Sequence, residues 1–308
     1  MSEQEIFDLA IVGGGPAGLT ASVYASRYKV NNVVIADLMG GMAFGATEVG
    51  NFPSHPEISG MELMQKMQSH AFESLGATQK NAKVKNIDKK DDGTFEITVE
   101  PAEKILAKSL IISTGTTHSK LNVPGENEFR GKGVAYCATC DAFFYRNLEV
   151  AVVGGGNVAL TAALHLAKIA KQVYLLVRGD KFVGEMVWVD RVNKTPNIKV
   201  MFNTSVKEIA GQNKVEKLIL ADGSELPVNG IFVSIGHKPV VDFTMNFALE
   251  KDDQGHIKVA PDMRTNIDGV FAAGDVTDGS NYFKQIATAV GEGSIAANSA
   301  YKWLQLKQ

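Results

Sequence analysis

The stretch Asp8-Leu9-Ala10-Ile11-Val12-Gly13-Gly14-Gly15-Pro16-Ala17-Gly18 runs from a short apolar segment straight into a glycine-rich turn. Asp8 to Val12 has the length and composition of a buried strand. Ala17 to Tyr28 then carries Ala, Leu, Val and Tyr at helical spacing, and Val33 to Ala36 reads as the next parallel strand. Strand, glycine turn, helix and strand in that order make the unit that binds a dinucleotide. One glycine allows the tight turn, one lets the backbone approach a pyrophosphate, and one lets helix and strand pack closely. Gly13, Gly15, Pro16, Ala17 and Gly18 are therefore candidate cofactor contacts, with the positive end of the helix facing the phosphates. Asp37 ends the second strand about twenty residues past the loop, where a carboxylate accepts hydrogen bonds from a ribose.

Downstream, Lys83 to Val99 alternates like a hairpin with Asp91-Asp92-Gly93 as its turn. Leu110 to Thr114 is another apolar strand, closed by Gly115, and the polar segment Thr116 to Phe129, with Pro124-Gly125, reads as a domain crossing. The pattern then restarts. Val150 to Val153 leads into a second loop, Gly154-Gly155-Gly156-Asn157-Val158-Ala159, followed by a helix to Ile169 and a strand from Val173 to Val177. Further strands are expected at Lys199–Phe202, Val215–Ala221 and Gly230–Ile235, and a second crossing near Gly236-His237-Lys238-Pro239. A strand end at Val270–Asp275 and a helix over Ile286–Leu304 close the chain. The expected fold is α/β: two Rossmann-like three-layer nucleotide-binding domains, the second inserted into the first. The expected domains are 1–116 with 242–308, and 117–241.

The 308 residues suit two domains of ordinary size. An apolar share of 45% with 21% charged residues belongs to a globular protein, and a net charge of -3 argues against a nucleic-acid partner. No apolar run reaches the roughly 18 residues of a membrane span. The polar, acidic start at residues 1–5 predicts no cleavable leader. A single closely spaced cysteine pair cannot staple a fold of this size, so a reducing cytoplasm is the expected setting.

Both cysteines lie in Cys137-Ala138-Thr139-Cys140-Asp141. A thiolate that attacks an acceptor needs a partner close enough to resolve the mixed species, and a two-residue spacing meets that need. A zinc half-site would require two more ligands. No second cysteine pair exists, and His55, His70, His118, His165, His237 and His256 are scattered singly. A structural disulfide over so short a loop gains little and is easily reduced. Redox chemistry is the expectation. For Asp141 the residues leave two readings open: an acid–base group whose pKa burial raises, or a helix N-cap or turn residue.

The run Gly133-Val134-Ala135-Tyr136-Cys137-Ala138-Thr139-Cys140-Asp141-Ala142-Phe143-Phe144-Tyr145 resembles the active-site stretch of low-molecular-weight, bacterial-type thioredoxin reductases. The resemblance spans nearly the whole chain, through both glycine loops, Glu48-Val49-Gly50-Asn51-Phe52-Pro53, Thr114-Gly115, Gly236-His237 and Phe271-Ala272-Ala273-Gly274-Asp275-Val276. It implies FAD in the outer domain, a redox disulfide in the inserted domain, and a homodimer. Besides the first loop and Asp37, it places FAD contacts at Gly41, Asn51, Val84, Thr114, Gly115, Gly274, Asp275, Lys284, Gln285 and Ile286. Pyridine-nucleotide contacts fall on Gly154, Gly156, Asn157, Val158, Ala159 and Arg178. By the same resemblance Asp141 is the acid–base residue, Cys140 the thiol nearer the flavin, and Cys137 the thiol that attacks the substrate. It also implies rotation of the inserted domain on hinges near Thr116–Val123 and His237–Val241.

The chain departs from that pattern where NADPH-using relatives carry His-Arg-Arg-x-x-x-Arg. Here the run is Val177-Arg178-Gly179-Asp180-Lys181-Phe182-Val183, so Arg178 alone keeps its place. Arginines there bind the extra phosphate through paired, charge-assisted hydrogen bonds, each worth about 1.5–3 kcal/mol. A strong NADPH preference is not expected. Met42 stands where relatives often have glutamine, and Lys284 where they often have arginine. Trp303 is expected to pack in the core, with a surface or dimer-interface position as the alternative.

These readings converge on an FAD-dependent thioredoxin-disulfide reductase. Its donor is NADH, weakly bound NADPH, or a ferredoxin or deazaflavin. Its partner is thioredoxin or a similar small dithiol protein. Three rivals stay open: a small-molecule dithiol oxidase returning electrons to oxygen, a peroxiredoxin-reducing flavoprotein of the kind that usually carries a further N-terminal disulfide domain, and a non-enzymatic flavin redox sensor.

Overall fold

The computed structural model describes residues 5–46 and 48–307. The polar start at Met1–Gln4 lies outside the described residues. The chain forms two compact units, one from residues up to Thr117 and from Lys238 onward, the other from His118 to His237.

In the first unit, β1 (Ile6–Val12), α1 (Pro16–Arg27) and β2 (Asn32–Ala36) form the anticipated strand–helix–strand. They are followed by α2 (Gly60–Gln68), β3 (Thr78–Asn81), β4 (Val84–Lys89), β5 (Phe95–Val99) and β6 (Glu103–Ile112). The sheet runs β17-β4-β5-β6-β1-β2-β3, where β17 is Thr244–Met245, and β18 (Val270–Ala272) also pairs with β6. β1 is parallel to both neighbours, whereas β4–β5–β6 is an antiparallel meander turning at Asp91–Gly93.

The period of two along β1 splits the core. Leu9 and Ile11 face α1 and the C-terminal helix α6 (Ile286–Leu306), meeting Ala21, Ala296 and Ala300. Ala10 and Val12 face the other way, into a cluster with Val33, Ile97, Phe243 and Ile257. Each fully buried Leu, Ile or Val among them contributes about 1.5–3 kcal/mol relative to exposure. Trp303 packs against the edge of the α1–α6 core rather than inside it. It is half-buried, its indole N–H donates to Asp268 Oδ1 at 2.6 Å, and Lys307 covers its ring. The indole needs a polar partner, and Asp268 supplies one only at the surface.

The second unit repeats the plan. Its parallel sheet has the order β11-β10-β9-β15-β8: Ile198–Met201, Gln172–Leu176, Glu149–Val153, Gly230–Val233 and Val134–Ala135. Val150 and Val152 face α4 (Asn157–Ala167) and α5 (Met186–Asn193) through Leu160, Ala163 and Trp188. Ala151 and Val153 face the antiparallel layer β12 (Val206–Ala210), β13 (Lys217–Leu220) and β14 (Glu225–Pro227). The short helix α3 (Ala138–Asp141) carries the cysteine motif. The crossing segments β7 (Thr116–His118) and β16 (His237–Pro239) pair with each other as a two-stranded ribbon.

Candidate active site

The first glycine loop is shaped by what it cannot hold. Gly13 has φ +114°, and a Cβ there would lie 2.3 Å from the Ser113 carbonyl oxygen. A Cβ at Gly18 would lie 2.0 Å from the Gly13 carbonyl oxygen. Both positions must be glycine for α1 to close on the ends of β1 and β6. The Ser113 hydroxyl reinforces the turn by donating to Gly13 O at 3.0 Å. At Gly15, the N-cap of α1, a Cβ would meet no described atom within 4 Å. That open space lies at the positive end of the helix, where a pyrophosphate fits. Pro16 opens α1 at a position that needs no N–H partner, and Ala17 is buried behind it.

Two other expected cofactor positions adjoin this loop directly. Gly41 backs onto Gly15, and Gly274 onto the Ala17 methyl. Asp37 is exposed just beyond β2. The Ala82 N–H donates to Ala36 O at 2.9 Å, which brings the start of β4, and buried Val84, towards the Asp37 end of the strand. Thr114, beside Gly115 at the end of the next strand, donates its hydroxyl to Val240 O at 2.5 Å. Asn51 Nδ2 donates to Gln285 Oε1 at 2.9 Å, and Gln285 caps α6 one residue before Ile286.

Asp275 and Lys284 supply the charge. No described group donates a hydrogen bond to the Asp275 carboxylate. Burial raises its pKa, and the Lys284 ammonium partly opposes that rise. A carboxylate so placed suits a hydroxyl donor from a ligand. Burial lowers the pKa of Lys284, whose ammonium is held by the Thr277 carbonyl. The residues fit the sugar–pyrophosphate part of FAD.

Glu292 was missed by sequence reading. It is buried in α6, and it accepts Gly274 N–H at 2.7 Å, Thr277 Oγ1 at 3.3 Å and Ser280 Oγ at 2.5 Å. It thereby fixes the turn that carries Asp275. A lone acid inside the otherwise apolar and small run Ala289–Ala297 is the signal that marks it.

In the second unit Cys137 and Cys140 form a disulfide with Cα atoms 5.4 Å apart. Cys137 is half-buried and Cys140 exposed. Cys137, not Asp141, is the N-cap of α3, its sulfur accepting the Cys140 N–H at 3.2 Å. Asp141 ends that short helix and precedes a 3-10 turn over Ala142–Tyr145, but its side chain makes no capping hydrogen bond to that turn. Burial raises the pKa of its half-buried carboxyl. A group that stays protonated above the usual carboxylate range is suited to giving a proton to a nascent thiolate.

The second glycine loop has the same backbone design. Gly154 has φ +143°, and a Cβ there would lie 2.1 Å from Ser234 O and 2.9 Å from the Ala159 methyl. Gly156 caps α4, but here Val183 reaches over it, 3.9 Å from where a Cβ would stand. The Val183 N–H donates to Gly155 O at 2.9 Å. Asn157 is engaged with Glu185, accepting its N–H at 2.6 Å and donating to Oε1 at 2.9 Å. Val158 and Arg178 are exposed. The backbone fits a dinucleotide pyrophosphate, whereas the cationic fork expected for a 2′-phosphate is reduced to Arg178 and Lys181.

A profile of the pyridine nucleotide-disulphide oxidoreductases matches residues 7–293. The chain belongs to that family. It is thus a flavin-dependent disulfide oxidoreductase, and its similarity within the family is to thioredoxin reductases. It is 37% identical to the thioredoxin reductase of Listeria monocytogenes, over 99% of this chain and 96% of that one. Thioredoxin reductase from Lactococcus lactis superposes with a TM-score of 0.92 at 35% identity, covering 97% of this chain and 99% of the other. A ferredoxin-flavin thioredoxin reductase from Clostridium acetobutylicum is 34% identical, covers 99% and 100% of the two chains, and gives a TM-score of 0.53. No described helix of this family member is long and apolar enough to cross a membrane.

Proposed function

We propose that the chain reduces the disulfide of thioredoxin or a similar small dithiol protein. The observation that carries this reading is the Cys137–Cys140 disulfide at the head of α3, followed by a carboxyl whose pKa burial raises. FAD would be held by the Gly13–Gly18 loop, Asp37 and Asp275, with Gly41, Asn51, Val84, Thr114, Gly115, Gly274, Lys284, Gln285 and Ile286 around it. When bound, FAD supplies the electron pair that opens the disulfide. Asp141 gives a proton to one of the two sulfurs. The Cys137 thiolate attacks the target disulfide, forming a mixed disulfide and releasing one target thiol. Cys140 then attacks Cys137, restoring the enzyme disulfide and releasing the second target thiol. The family similarity also supports a homodimer in a cytoplasmic setting.

The sign of the pH dependence follows from burial at Asp141. The proton-donating form predominates below its raised pKa and is lost as pH rises through it. Asp141→Asn is expected to slow disulfide reduction by about 10²–10⁴-fold and to lose that limb of the profile. A variant that keeps the wild-type limb refutes the assignment, and steady-state rates across pH settle it.

For the donor, we propose a pyridine nucleotide without the 2′-phosphate, bound along Gly154, Gly156, Asn157, Val158 and Ala159. Arg178 then has no phosphate fork to complete. A ferredoxin is the second reading, favoured by Val183 lying over Gly156 and by similarity to the Clostridium acetobutylicum protein. Anaerobic mixing of the oxidised flavoprotein with NADH, NADPH or reduced ferredoxin separates them. NADPH is expected to bleach the flavin no faster than NADH, and rapid bleaching at low NADPH overturns the proposal.

A further inference from the structure

Tyr136 directly precedes Cys137, and its hydroxyl donates to Glu126 Oε1 at 2.7 Å. The same carboxylate accepts the backbone N–H groups of Leu121 at 2.9 Å and Asn122 at 2.7 Å. Glu126 is 2% exposed, and a carboxylate so deeply placed is tolerated when several donors satisfy it. The tyrosine ring is fixed on other sides too. The Arg130 guanidinium lies 5.8 Å from its centroid, and the His118 ring 5.9 Å away. Burial, with the hydrogen bond to Glu126 second, pushes the phenol up to about 12, so it remains a donor at neutral pH.

Closing the turn over residues 121–126 needs only the two backbone donors. The third donor comes from beside the redox pair. While the disulfide is closed, each sulfur is held by the other. Once it opens, the place of Cys137 depends on the chain entering it, and that chain is held through Tyr136. We propose that Glu126 and Tyr136 are positioning residues that keep Cys137 within reach of Cys140 in the dithiol state, and so favour reclosure of the disulfide. The inference rests on the reading that this pair cycles between the two forms.

The reaction to measure is exchange with dithiothreitol. Two protein thiols give two electrons and two protons to cyclic oxidised dithiothreitol, the Cys137–Cys140 bond forms, and reduced dithiothreitol leaves. The full chain, its Tyr136→Phe and Glu126→Gln variants and the double variant would be equilibrated in dithiothreitol redox buffers. Dithiol and disulfide forms would be counted by mass after thiol alkylation. Losing a hydrogen bond to a charged group is expected to move the equilibrium about three- to tenfold towards the dithiol in Tyr136→Phe. That corresponds to a potential about 15–30 mV less negative. Glu126→Gln should shift it in the same direction, and the double variant should fall short of the sum.

A Tyr136→Phe equilibrium within twofold of wild type, in a protein with an unchanged melting temperature, overturns the inference. It does so even if Glu126→Gln fails to fold. A wild-type pair that never exchanges with dithiothreitol overturns the disulfide-reductase reading instead. A cycling wild type with an unshifted Tyr136→Phe sinks this inference alone.

Discussion

Replacing Cys140 with serine is expected to stop turnover with a protein disulfide while leaving the fold and bound FAD in place. The substitution is nearly isosteric at an exposed position, so the packing of α3 against its neighbours is unaffected. What is lost is the resolving sulfur. Cys137 can still attack a target disulfide, but the mixed species has no internal thiol to break it. Turnover should fall by at least about 10³-fold, the scale on which removal of a covalent participant is felt. The variant should instead accumulate a stable adduct with its target, visible by mass on a non-reducing gel. Sustained turnover in Cys140→Ser would end the relay proposal, and a failure to retain flavin would show that the two sites are not separable. The same result decides between the enzyme and a flavin redox sensor, because a sensor shows no multiple turnover even in the wild type.

The second large effect is expected at the first glycine loop, where two glycines should respond in opposite ways. In Gly18→Ala the new methyl would stand 2.0 Å from Gly13 O and 2.7 Å from Ser113 Oγ. The nearer atom is backbone and cannot swing aside. Overpacking of this kind costs about 1–3 kcal/mol or more. With roughly 2–4 °C per kcal/mol for a domain of this size, the melting temperature should drop by about 2–12 °C. In Gly15→Ala the methyl would meet no described atom within 4 Å, and the backbone is already in the extended region. The flavin-free protein should therefore melt within about 1 °C of wild type, but the methyl would project into the space proposed for the pyrophosphate. Flavin affinity should weaken by about tenfold or more, since 1.4 kcal/mol is one decade. Fluorescence titration of the apoprotein with FAD, alongside thermal melts of both variants, checks the pair. Equal losses of stability in the two variants would refute the assignment of Gly15 to the ligand space.

The glycine loops and the cysteine pair were legible because their requirements are local. A tight turn, a close helix–strand approach and a resolvable mixed disulfide each fix residue types within a few positions. Asp141 was only half legible. Its place after Cys140 is plain in the chain, but the choice between cap and acid turns on whether its side chain bonds the turn that follows and how far the carboxyl is covered. Trp303 reaches the core only in part, because its indole N–H needs a partner, and that partner, Asp268, lies 35 residues away in the chain. Lys284 and Met42 stood out as departures, yet what each meets, the Thr277 carbonyl and the Thr116 hydroxyl respectively, is set by folded geometry.

By itself the sequence determined the α/β plan, the internal repetition and the redox pair, because backbone sterics and sulfur chemistry act over short stretches of chain. The tertiary structure alone decided that Val183 lies over Gly156, that Glu292 holds the turn bearing Asp275, and that Glu126 reaches Tyr136 beside Cys137. Those contacts join residues whose spacing carries no pattern. A buried carboxylate is stabilised by whichever donors the fold brings to it, and the chain does not reveal which those are until it has closed.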